Sequence, residues 1–445
     1  MMGYEQEYKS KLTTPEEAVK IVKNGDWIDY GAYMGFPVLL DAALAKRKNE
    51  LSDIKVRGLL MDEPLQIIEQ DPERETFIYN SWHLLTYERR MCDKGLCNFI
   101  PMLFRNLPMY YERELTVNVA MFAVPPMDRN GYFNFSVNNC SARAVLEKAD
   151  VVILEINENL PVIFGLENNI HISDVDLIVE GPHAPLKDYP NAVATEVDGI
   201  IADTIISQVE NGACIQLGVG GLPNLIGKKL AESDIKDLGC HSELLVNAYL
   251  DMHKAGKLTN KNKSGIFKGR SVFGIVHGDS ELREWARENP GLCSLAMDKV
   301  NDVRTISEID KFTSINSALT VDLYGQIAAE AAGKRHISGT GGQLDFLTGA
   351  WDNPTGKSFI CLPSSRVDKN GVRHSNIKPT FNGDIVTDPR SQAYNIVTEY
   401  GMVNLAGRTT WERSELLIGI AHPEMREELI AAAEDLGIWR KSNKR

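Results

Sequence analysis

A short apolar strand runs directly into a glycine-rich loop at residues 214–223, which read Cys214-Ile215-Gln216-Leu217-Gly218-Val219-Gly220-Gly221-Leu222-Pro223. The helix before it is predicted to end at Val209-Glu210, because the Asn211-Gly212 pair that follows is a typical helix stop. Helix, strand, loop and a second helix in close succession are typical of a parallel or mixed sheet covered by helices. This part of the chain therefore predicts an α/β domain.

The same order of elements occurs once before, near the N-terminus. A helix is predicted to begin with Thr14 as N-cap and Pro15 in its first turn, and Asn24-Gly25 ends it. An apolar strand at residues 27–30 then enters a glycine loop at residues 31–37. We interpret this recurrence as an internal duplication that produces two similar open α/β domains.

The boundary between the two domains is predicted near residues 185–195. Pro182, Pro185 and Pro190 crowd a polar stretch there, which is typical of a linker. We therefore expect an N-terminal domain over residues 1–188 and a C-terminal domain over residues 189–445. Within the first, residues 149–156 predict a largely buried strand, because the apolar run at residues 151–154 is continuous rather than alternating.

Length, composition and charge exclude several classes of function. At 445 residues, with 43% hydrophobic and 24% charged residues, the chain predicts an ordinary globular protein of more than one domain. Residues 1–9 lack the apolar segment of a secretory signal, and no stretch approaches the ~20 apolar residues of a membrane span, so we expect a cytoplasmic protein. A net charge of −13 argues against binding to nucleic acid or anionic membrane. Seven cysteines without CxxC pairing argue against a disulfide framework and a structural zinc site.

Both glycine loops are candidate anion sites, because a loop between a strand and a helix presents backbone N–H groups to a phosphate or an oxyanion. A tight turn that binds no ligand explains either loop equally well. The second loop is not a dinucleotide fingerprint, since Pro223 stands where that pattern needs its third glycine. It also lacks the Lys-Ser/Thr of a P-loop.

A glutamate follows the second loop at a suggestive distance. Glu243 lies in the segment Gly239-Cys240-His241-Ser242-Glu243-Leu244-Leu245, which we expect to be the end of a short strand entering a loop. About twenty residues separate it from the glycine loop, enough for one helix, so the spacing predicts that Glu243 lies beside that loop at the carboxyl edge of a parallel sheet. The alternative is an ordinary solvated surface glutamate.

Two further segments stand out in the last third of the chain. Residues 338–346, Ser338-Gly339-Thr340-Gly341-Gly342-Gln343-Leu344-Asp345-Phe346, hold three glycines in four positions. This density indicates close backbone approach to a ligand or to another chain segment, or else a flexible turn. Glu399 and Arg408 follow, either as a structural ion pair or as supports of a site.

One local basic run interrupts the acidic composition. Between residues 254 and 270 there are six Lys or Arg residues and no acidic residue, so the run is either a solvated loop face or a patch that meets an anionic ligand. The six are Lys254, Lys257, Lys261, Lys263, Lys268 and Arg270.

Taken together, six ordered segments make the chain resemble the acetyl-CoA hydrolase and transferase family, and more narrowly its 4-hydroxybutyrate and butyrate:acetate CoA-transferase branch. The resemblance runs almost end to end. It rests on residues 216–220 with Pro223, on His241-Ser242-Glu243, on Asn316 with Asp322 and Gly325-Gln326, on residues 338–346, on Thr398-Glu399-Tyr400-Gly401 and on Ile420-Ala421-His422-Pro423.

The resemblance implies a CoA-transferase-like fold and a role for each matching residue. Glu243 takes the place of the family's catalytic glutamate, and the other roles concern binding and support. Val219 and Gly220 would offer oxyanion amides, Gly341 and Gly342 would contact the reacting thioester, Gln216 and Asn316 would lie near bound CoA, and Glu399 would support the site without touching the substrate. Two departures from the family's pattern bear on which acyl group is bound. They are Leu244, where relatives tend to have Met, and the divergent residues 82–111.

The reaction implied by the resemblance is CoA transfer between small carboxylic acids by a ping-pong mechanism, with Glu243 as the nucleophile and acyl-CoA as substrate. No metal or organic prosthetic group is required. Two alternatives stay open: an acyl-CoA hydrolase that uses the same glutamate, and a sugar-phosphate or other anion-binding module without chemistry. A homodimer is the default for a symmetric soluble enzyme.

An apolar acyl pocket for a short chain has candidate lining residues in the first half of the chain. An equal case exists that these side chains are part of the core. They are Met34, Phe36, Pro101, Met102, Leu103 and Phe104.

Overall fold

The structure, a computed structural model, describes residues 2–189 and 193–439 and divides them into two compact units. Unit 1 contains the chain up to Tyr189 together with Val272–Val300 and His336–Gly341. Unit 2 contains residues from 193 to Ser271, Asn301–Arg335 and the chain from Gly342 onward. The assignment of all residues after 188 to one domain is therefore corrected, because 272–300 and 336–341 pack within unit 1. Pro190 of the expected linker lies outside the described residues.

Each unit is built on one large sheet, whose strands we number in chain order. The strands are β1 (Leu12–Thr13), β2 (Trp27–Ala32), β3 (Ile54–Leu59), β4 (Phe77–Ser81), β5 (Asn98–Phe99), β6 (Val117–Val124), β7 (Ala149–Ile156), β8 (Leu177–Val179), β9 (Cys214–Leu217), β10 (Gly239–Cys240), β11 (Phe312–Ser317), β12 (Lys357–Cys361), β13 (Asn395–Thr398) and β14 (Gly401–Asn404).

Helices surround the sheets, and shorter strands complete the loops. The helices are α1 (Met2–Lys11), α2 (Pro15–Ala18), α3 (Val38–Ala45), α4 (Gln66–Glu69), α5 (Thr86–Asp93), α6 (Leu107–Arg113), α7 (Ala142–Lys148), α8 (Glu196–Ile206), α9 (Gly221–Glu232), α10 (Asn247–Lys254), α11 (Ser280–Ala286), α12 (Met297–Val300), α13 (Val303–Ser307), α14 (Gln343–Asp352), α15 (Thr410–Gly419) and α16 (Arg426–Asp435). The short strands are Tyr132–Asn134, Asn169–His171, Leu244–Leu245, Ser271–Phe273, Ile275–Val276, Leu292–Ser294, Thr320–Asp322, Ile327–Ala328, Ala331–Ala332, Arg335–His336, Ser365–Val367, Arg373–Ser375 and Ile377–Lys378.

The sheet of unit 1 has eight parallel strands in the order β1-β8-β7-β6-β2-β3-β4-β5. Parallel strands covered on both faces are apolar along their whole length, which is what the run in β7 shows. The strand predicted at residues 149–156 is confirmed with both ends. The predicted helix at Thr14 also forms, and the Thr14 hydroxyl accepts the Glu17 amide, although α2 gives way to a 3₁₀ turn at Val19.

The sheet of unit 2 has six strands in the order β10-β9-β11-β12-β13-β14, of which the first five are parallel and β14 is an antiparallel edge. Five neighbouring strands of each sheet follow the same order. In unit 1 the order is β3-β2-β6-β7-β8. The strand that leads into the first glycine loop, β2, therefore lies between β3, the next strand in the chain, and β6, a later one. The order β10-β9-β11-β12-β13 places β9 in the same way in unit 2. This agreement supports the predicted duplication and confirms the α/β fold class.

The described residues contain no helix that is both long and apolar enough to cross a membrane. None of the seven cysteines, all of which lie in the described residues, forms a disulfide, and six of them are buried. The expected cytoplasmic location and homodimer stay predictions.

Candidate active site

The carboxyl edge of the unit 2 sheet collects most of the residues singled out from the sequence. Because β9 to β13 run parallel, their C-terminal ends lie along one edge, where α/β sheets bind ligands. Gly218 follows β9, Glu243 follows β10, Asn316 lies near the end of β11, and Glu399 follows β13. This edge of the unit 2 sheet is therefore the candidate active site.

Glu243 is fixed by the segment that precedes it. His241 and Ser242 are fully buried and continue alongside β9, where the His241 amide donates to Ile215 O at 3.4 Å. The Ser242 hydroxyl donates to Leu217 O at 3.3 Å, at the last residue of β9. These bonds hold the loop that carries Glu243 beside the glycine loop, as the spacing predicted.

The carboxylate of Glu243 is partly exposed but is surrounded by protein groups. The Asn301 side chain donates from Nδ2 to Glu243 Oε2 at 3.0 Å, and the Gly342 backbone amide donates a second hydrogen bond to the carboxylate. Burial raises the pKa of Glu243 to about 8, and the nearby Asp345 carboxylate adds to the rise, while the bonds from Asn301 and Gly342 oppose it. Perturbed acids of this kind are typical of functional sites.

Gly342 approaches Glu243 so closely that any side chain at this position would displace its neighbours. A Cβ at position 342 would overlap both Asn301 Nδ2 and Glu243 Oε2. Gly342 is also the N-cap of α14, so its amide stands at the positive end of that helix. The preceding Gly341 accepts the Phe104 amide at 3.1 Å, and both of these residues belong to unit 1. The glycine density at residues 338–342 is thus explained by close approach and not by a flexible turn.

Asn301 is the residue of this site that sequence reasoning missed. It lies between α12 and α13 and is fully buried. Its Nδ2 donates to Glu243 and also to Asp345 Oδ2 at 3.3 Å, and its Oδ1 has no hydrogen-bond partner among the described residues. Asp345, also fully buried, lies in the first turn of α14. A lone asparagine after a short helix gives no local signal; only the fold shows its proximity to Glu243.

The loop after β9 leads directly into the start of a helix, and its role as an anion site stays a prediction. Gly220 has φ of 129°, in the left-handed region that favours glycine, and α9 begins at the next residue. Val219 is 51% exposed, and the Gly218 amide donates to Ile315 O at 3.2 Å, which fixes the start of the loop. The first N–H groups of α9 have no carbonyl acceptor within the helix, so they can bind a negative oxygen.

Gln216 and Asn316 contact each other. Gln216 Nε2 donates to Asn316 Oδ1 at 3.0 Å, and Asn316 Nδ2 donates to Gln216 Oε1 at the same distance. The Ser314 hydroxyl donates to Gln216 Oε1 at 2.8 Å, and all three side chains are buried. Their observed contacts therefore join β9 to β11, and contact with CoA stays a prediction for both residues.

The structure does not bring Glu399 close to Glu243. Four strand-to-strand steps separate β13 from β10, which at the usual spacing is roughly 19 Å. Glu399 accepts the Ser364 amide at 2.8 Å and the Ser364 hydroxyl at 2.6 Å, whereas Arg408 bonds to Glu412 at 3.5 Å. The alternative of a Glu399–Arg408 ion pair is thus corrected: each residue has a different partner.

The basic run is partly engaged within unit 2. Lys261 pairs with Asp237 at 3.0 Å, and buried Lys263 donates to Arg270 O at 3.0 Å. Lys268 and Arg270 are exposed at the side chain. A role in binding phosphates stays a prediction, carried by these exposed members of the run.

The candidate acyl-pocket residues all belong to unit 1. Met34 and Phe36 line a cavity together with Asp62 and Tyr189, whereas residues 101–104 are not part of its lining. Met102 and Phe104 are buried. The role of all six residues in acyl binding stays a prediction.

Comparison with known proteins identifies relatives of the whole chain. The family model of the acetyl-CoA hydrolase/transferase N-terminal domain matches residues 1–187, and that of the C-terminal domain matches residues 278–433. A butyryl-CoA:acetate CoA-transferase of Anaerostipes caccae is 47% identical, and the match covers all of both chains. A 4-hydroxybutyrate coenzyme A transferase of Clostridium kluyveri is 34% identical over 96% of this chain and 98% of its own. The crystal structure of RipA from Yersinia pestis has a TM-score of 0.88 at 34% identity and covers 98% of this chain and 100% of RipA.

Proposed function

The chain belongs to the acetyl-CoA hydrolase/transferase family and is a CoA-transferase, and we propose that it exchanges CoA between short-chain carboxylic acids through a covalent glutamyl-CoA intermediate on Glu243. The observation that carries this proposal is the Glu243 carboxylate, held by two hydrogen-bond donors beside a glycine loop at the carboxyl edge of a parallel sheet. The name of the Anaerostipes caccae relative makes butyryl-CoA and acetate the leading substrate pair.

The reaction begins with attack of Glu243 on the thioester carbonyl. Asn301 binds Oε2, which leaves Oε1 as the attacking oxygen. A bond forms between Oε1 and the acyl carbon, the carbon–sulfur bond breaks, and CoA leaves as a thiolate. The thiolate then attacks the glutamyl carbon of the mixed anhydride, and the first acid leaves as a carboxylate. A second carboxylate reverses both steps, which returns Glu243 unchanged and gives ping-pong kinetics.

Each addition passes through a tetrahedral oxyanion, and the site offers donors for two of them. When the thiolate attacks the glutamyl carbon, negative charge develops on Oε2, where Asn301 Nδ2 already donates, and the Gly342 amide adds a second donor at the same carboxylate. The amides of Val219 and Gly220 are our candidates for the oxyanion on the substrate acyl group. Donors in place before the reaction need no reorganisation, so they favour the transition state over the ground state.

The covalent intermediate gives a direct test. The protein is mixed with butyryl-CoA or acetyl-CoA, reduced with borohydride, and its peptides are analysed by mass spectrometry. A glutamyl thioester is reduced to an alcohol, so the peptide that holds Glu243 should lose the corresponding mass, and a Glu243→Gln variant should show no change. An unmodified wild-type peptide with intact bound acyl-CoA would contradict the proposal. Release of CoA without any second carboxylate would identify a hydrolase instead.

Substrate choice is tested separately by steady-state kinetics. We expect CoA transfer from butyryl-CoA to acetate, with 4-hydroxybutyrate and propionate as competing acceptors in matched assays. A strong preference for a dicarboxylate such as succinate would overturn the assignment to short monocarboxylic acids without affecting the covalent mechanism.

A further inference from the structure

A buried carboxylate that the reaction does not consume lies one hydrogen bond away from the nucleophile's donor. Asp345 Oδ2 accepts from Asn301 Nδ2 at 3.3 Å, and the same Nδ2 donates to Glu243 Oε2 at 3.0 Å. The two hydrogens of one amide nitrogen therefore bind two carboxylates. Asp345 and Asn301 are both fully buried, so solvent does not compete for these bonds.

The orientation of the Asn301 amide matters because its two ends have opposite chemistry. With Nδ2 toward Glu243 the contact is a charge-assisted hydrogen bond, whereas a rotated amide would place Oδ1 against a carboxylate oxygen. Asn301 Oδ1 has no hydrogen-bond partner in the described part of the chain, so no bond at that end selects the observed orientation. The second carboxylate, on Asp345, faces the same end of the amide as Glu243 and selects it.

The backbone around both residues is fixed independently. Asp302, next to Asn301, caps α13 by accepting the Thr305 amide at 2.8 Å. Asp345 lies in the first turn of the ten-residue α14, where the positive helix end favours a negative side chain. Asp345 and Asn301 thus lie at the N-terminal ends of α14 and α13. The N-cap of α14, Gly342, also donates to Glu243.

We propose that Asp345 is a positioning residue for the transferase reaction: it holds the Asn301 amide with Nδ2 toward Glu243, which leaves Oε1 as the attacking oxygen and keeps a donor on Oε2 when that oxygen becomes negative. The inference rests on the proposed function of Glu243. Asp345 itself neither touches the substrate nor transfers a proton.

The test is a double-mutant cycle on the rate of glutamyl-thioester formation in single turnovers. We expect Asp345→Ala and Asn301→Ala each to lower this rate by roughly 30-fold, because both leave Glu243 misoriented. Since Asp345 acts through Asn301, adding Asp345→Ala to Asn301→Ala should change the rate by less than about threefold. The KM for acyl-CoA should stay within about twofold of wild type throughout, because orientation affects the chemical step.

Two further variants separate positioning from folding. Asp345→Asn keeps an acceptor oxygen of the same shape and should retain most of the rate, so it serves if the alanine variant folds poorly. Asp71→Ala is the matched control: Asp71 is a buried carboxylate of unit 1 that accepts the Thr76 amide at 2.8 Å and the Phe77 amide at 2.9 Å. Melting temperatures of all variants check that each is folded.

The outcomes distinguish this inference from the function on which it rests. If wild type forms no glutamyl thioester, the proposed function fails. If wild type forms it and the effects of Asp345→Ala and Asn301→Ala multiply in the double variant, Asp345 does not act through Asn301 and the inference is overturned. An equal loss of rate in Asp71→Ala would also overturn it, because removal of any buried carboxylate would then have the same effect.

Discussion

At the scale of single residues, Gly342 shows how closely the backbone approaches Glu243. We expect Gly342→Ala to lower transferase activity by about 100-fold, because the added Cβ overlaps Asn301 Nδ2 and Glu243 Oε2 and displaces the carboxylate. The measurement is kcat with butyryl-CoA and acetate, together with the melting temperature. Gly199→Ala is the control, since a Cβ there meets nothing within 4 Å, and an alanine inside α8 should stabilise the protein slightly. Unchanged kcat in Gly342→Ala would show that the close approach of the backbone at this position does not restrict Glu243.

The raised pKa of Glu243 makes the stability of the protein depend on pH. An acid whose pKa rises from 4.5 in the unfolded chain to about 8 in the folded protein binds more protons when folded, so stability falls as pH increases between these values. Glu243→Gln carries no charge at any pH. We therefore expect its melting temperature to exceed that of wild type at pH 8 and the difference to shrink toward pH 5. Exposed Glu5→Gln should show no such trend.

The same pKa predicts the pH dependence of catalysis. Attack requires the carboxylate form of Glu243, so kcat/KM should rise as pH approaches 8 from below. A stability difference that stays constant from pH 5 to pH 8, with flat kcat/KM, would show that Glu243 is ionised throughout.

Sequence reasoning at this scale predicted Glu243 as the candidate nucleophile but did not predict the groups around it. Glu243 was predictable because a local spacing, one helix after a glycine loop, places it at the sheet edge. Asn301 was not, since it lies 58 residues from Glu243 and a further 44 from Asp345, with no pattern that connects them. Asp345 stood inside a segment that was singled out, yet nothing local indicated that its carboxylate faces an amide. These contacts depend on how the helices pack.

At the scale of secondary-structure elements, the pair of Gln216 and Asn316 joins the central strands β9 and β11. Asn316→Ala leaves both polar ends of the buried Gln216 side chain without Asn316 as partner, which should lower the free energy of unfolding by about 2 kcal/mol. We expect the KM for acyl-CoA to stay within about twofold of wild type. Urea unfolding and steady-state kinetics provide the two measurements.

The double variant Gln216→Leu/Asn316→Leu is the control for this prediction. Because it removes both partners, it should lose less stability than the sum of the two single leucine variants. A large rise in the KM for acyl-CoA in Asn316→Ala, with unchanged stability, would contradict this prediction. It would show that Asn316 contacts CoA, as the resemblance implies, and does not stabilise the contact between β9 and β11.

The elements themselves differ in how far the sequence predicted them. β7 was found with both ends because a parallel strand covered on two faces is continuously apolar. The segments 272–300 and 336–341 were assigned to the wrong unit because membership of a unit is set by distant packing, and neither segment carries a local signal of it. The duplication was visible because helix stop, strand and glycine loop each leave a local pattern, and it repeats.

At the scale of the whole molecule, the net charge of the protein has the same sign as the charge of acyl-CoA and of carboxylates. With a net charge of −13, the protein repels acyl-CoA and carboxylates at long range, unless a local basic patch attracts the CoA phosphates. Lys268 and Arg270 are our candidates among the exposed members of the run, which also include Lys254, since Lys261 is paired and Lys263 is buried. If they meet the phosphates, added salt should lower kcat/KM for acyl-CoA, because screening weakens that attraction.

The salt series decides between attraction by the patch and repulsion by the whole molecule. We expect kcat/KM for butyryl-CoA to fall several-fold between low and physiological ionic strength in wild type, and to be lower and much less sensitive to salt in Lys268→Gln/Arg270→Gln. Lys20→Gln/Lys46→Gln removes two exposed charges of unit 1 and is the matched control for net charge. If kcat/KM instead rises with salt in wild type, net repulsion governs the encounter, and other groups must bind the CoA phosphates.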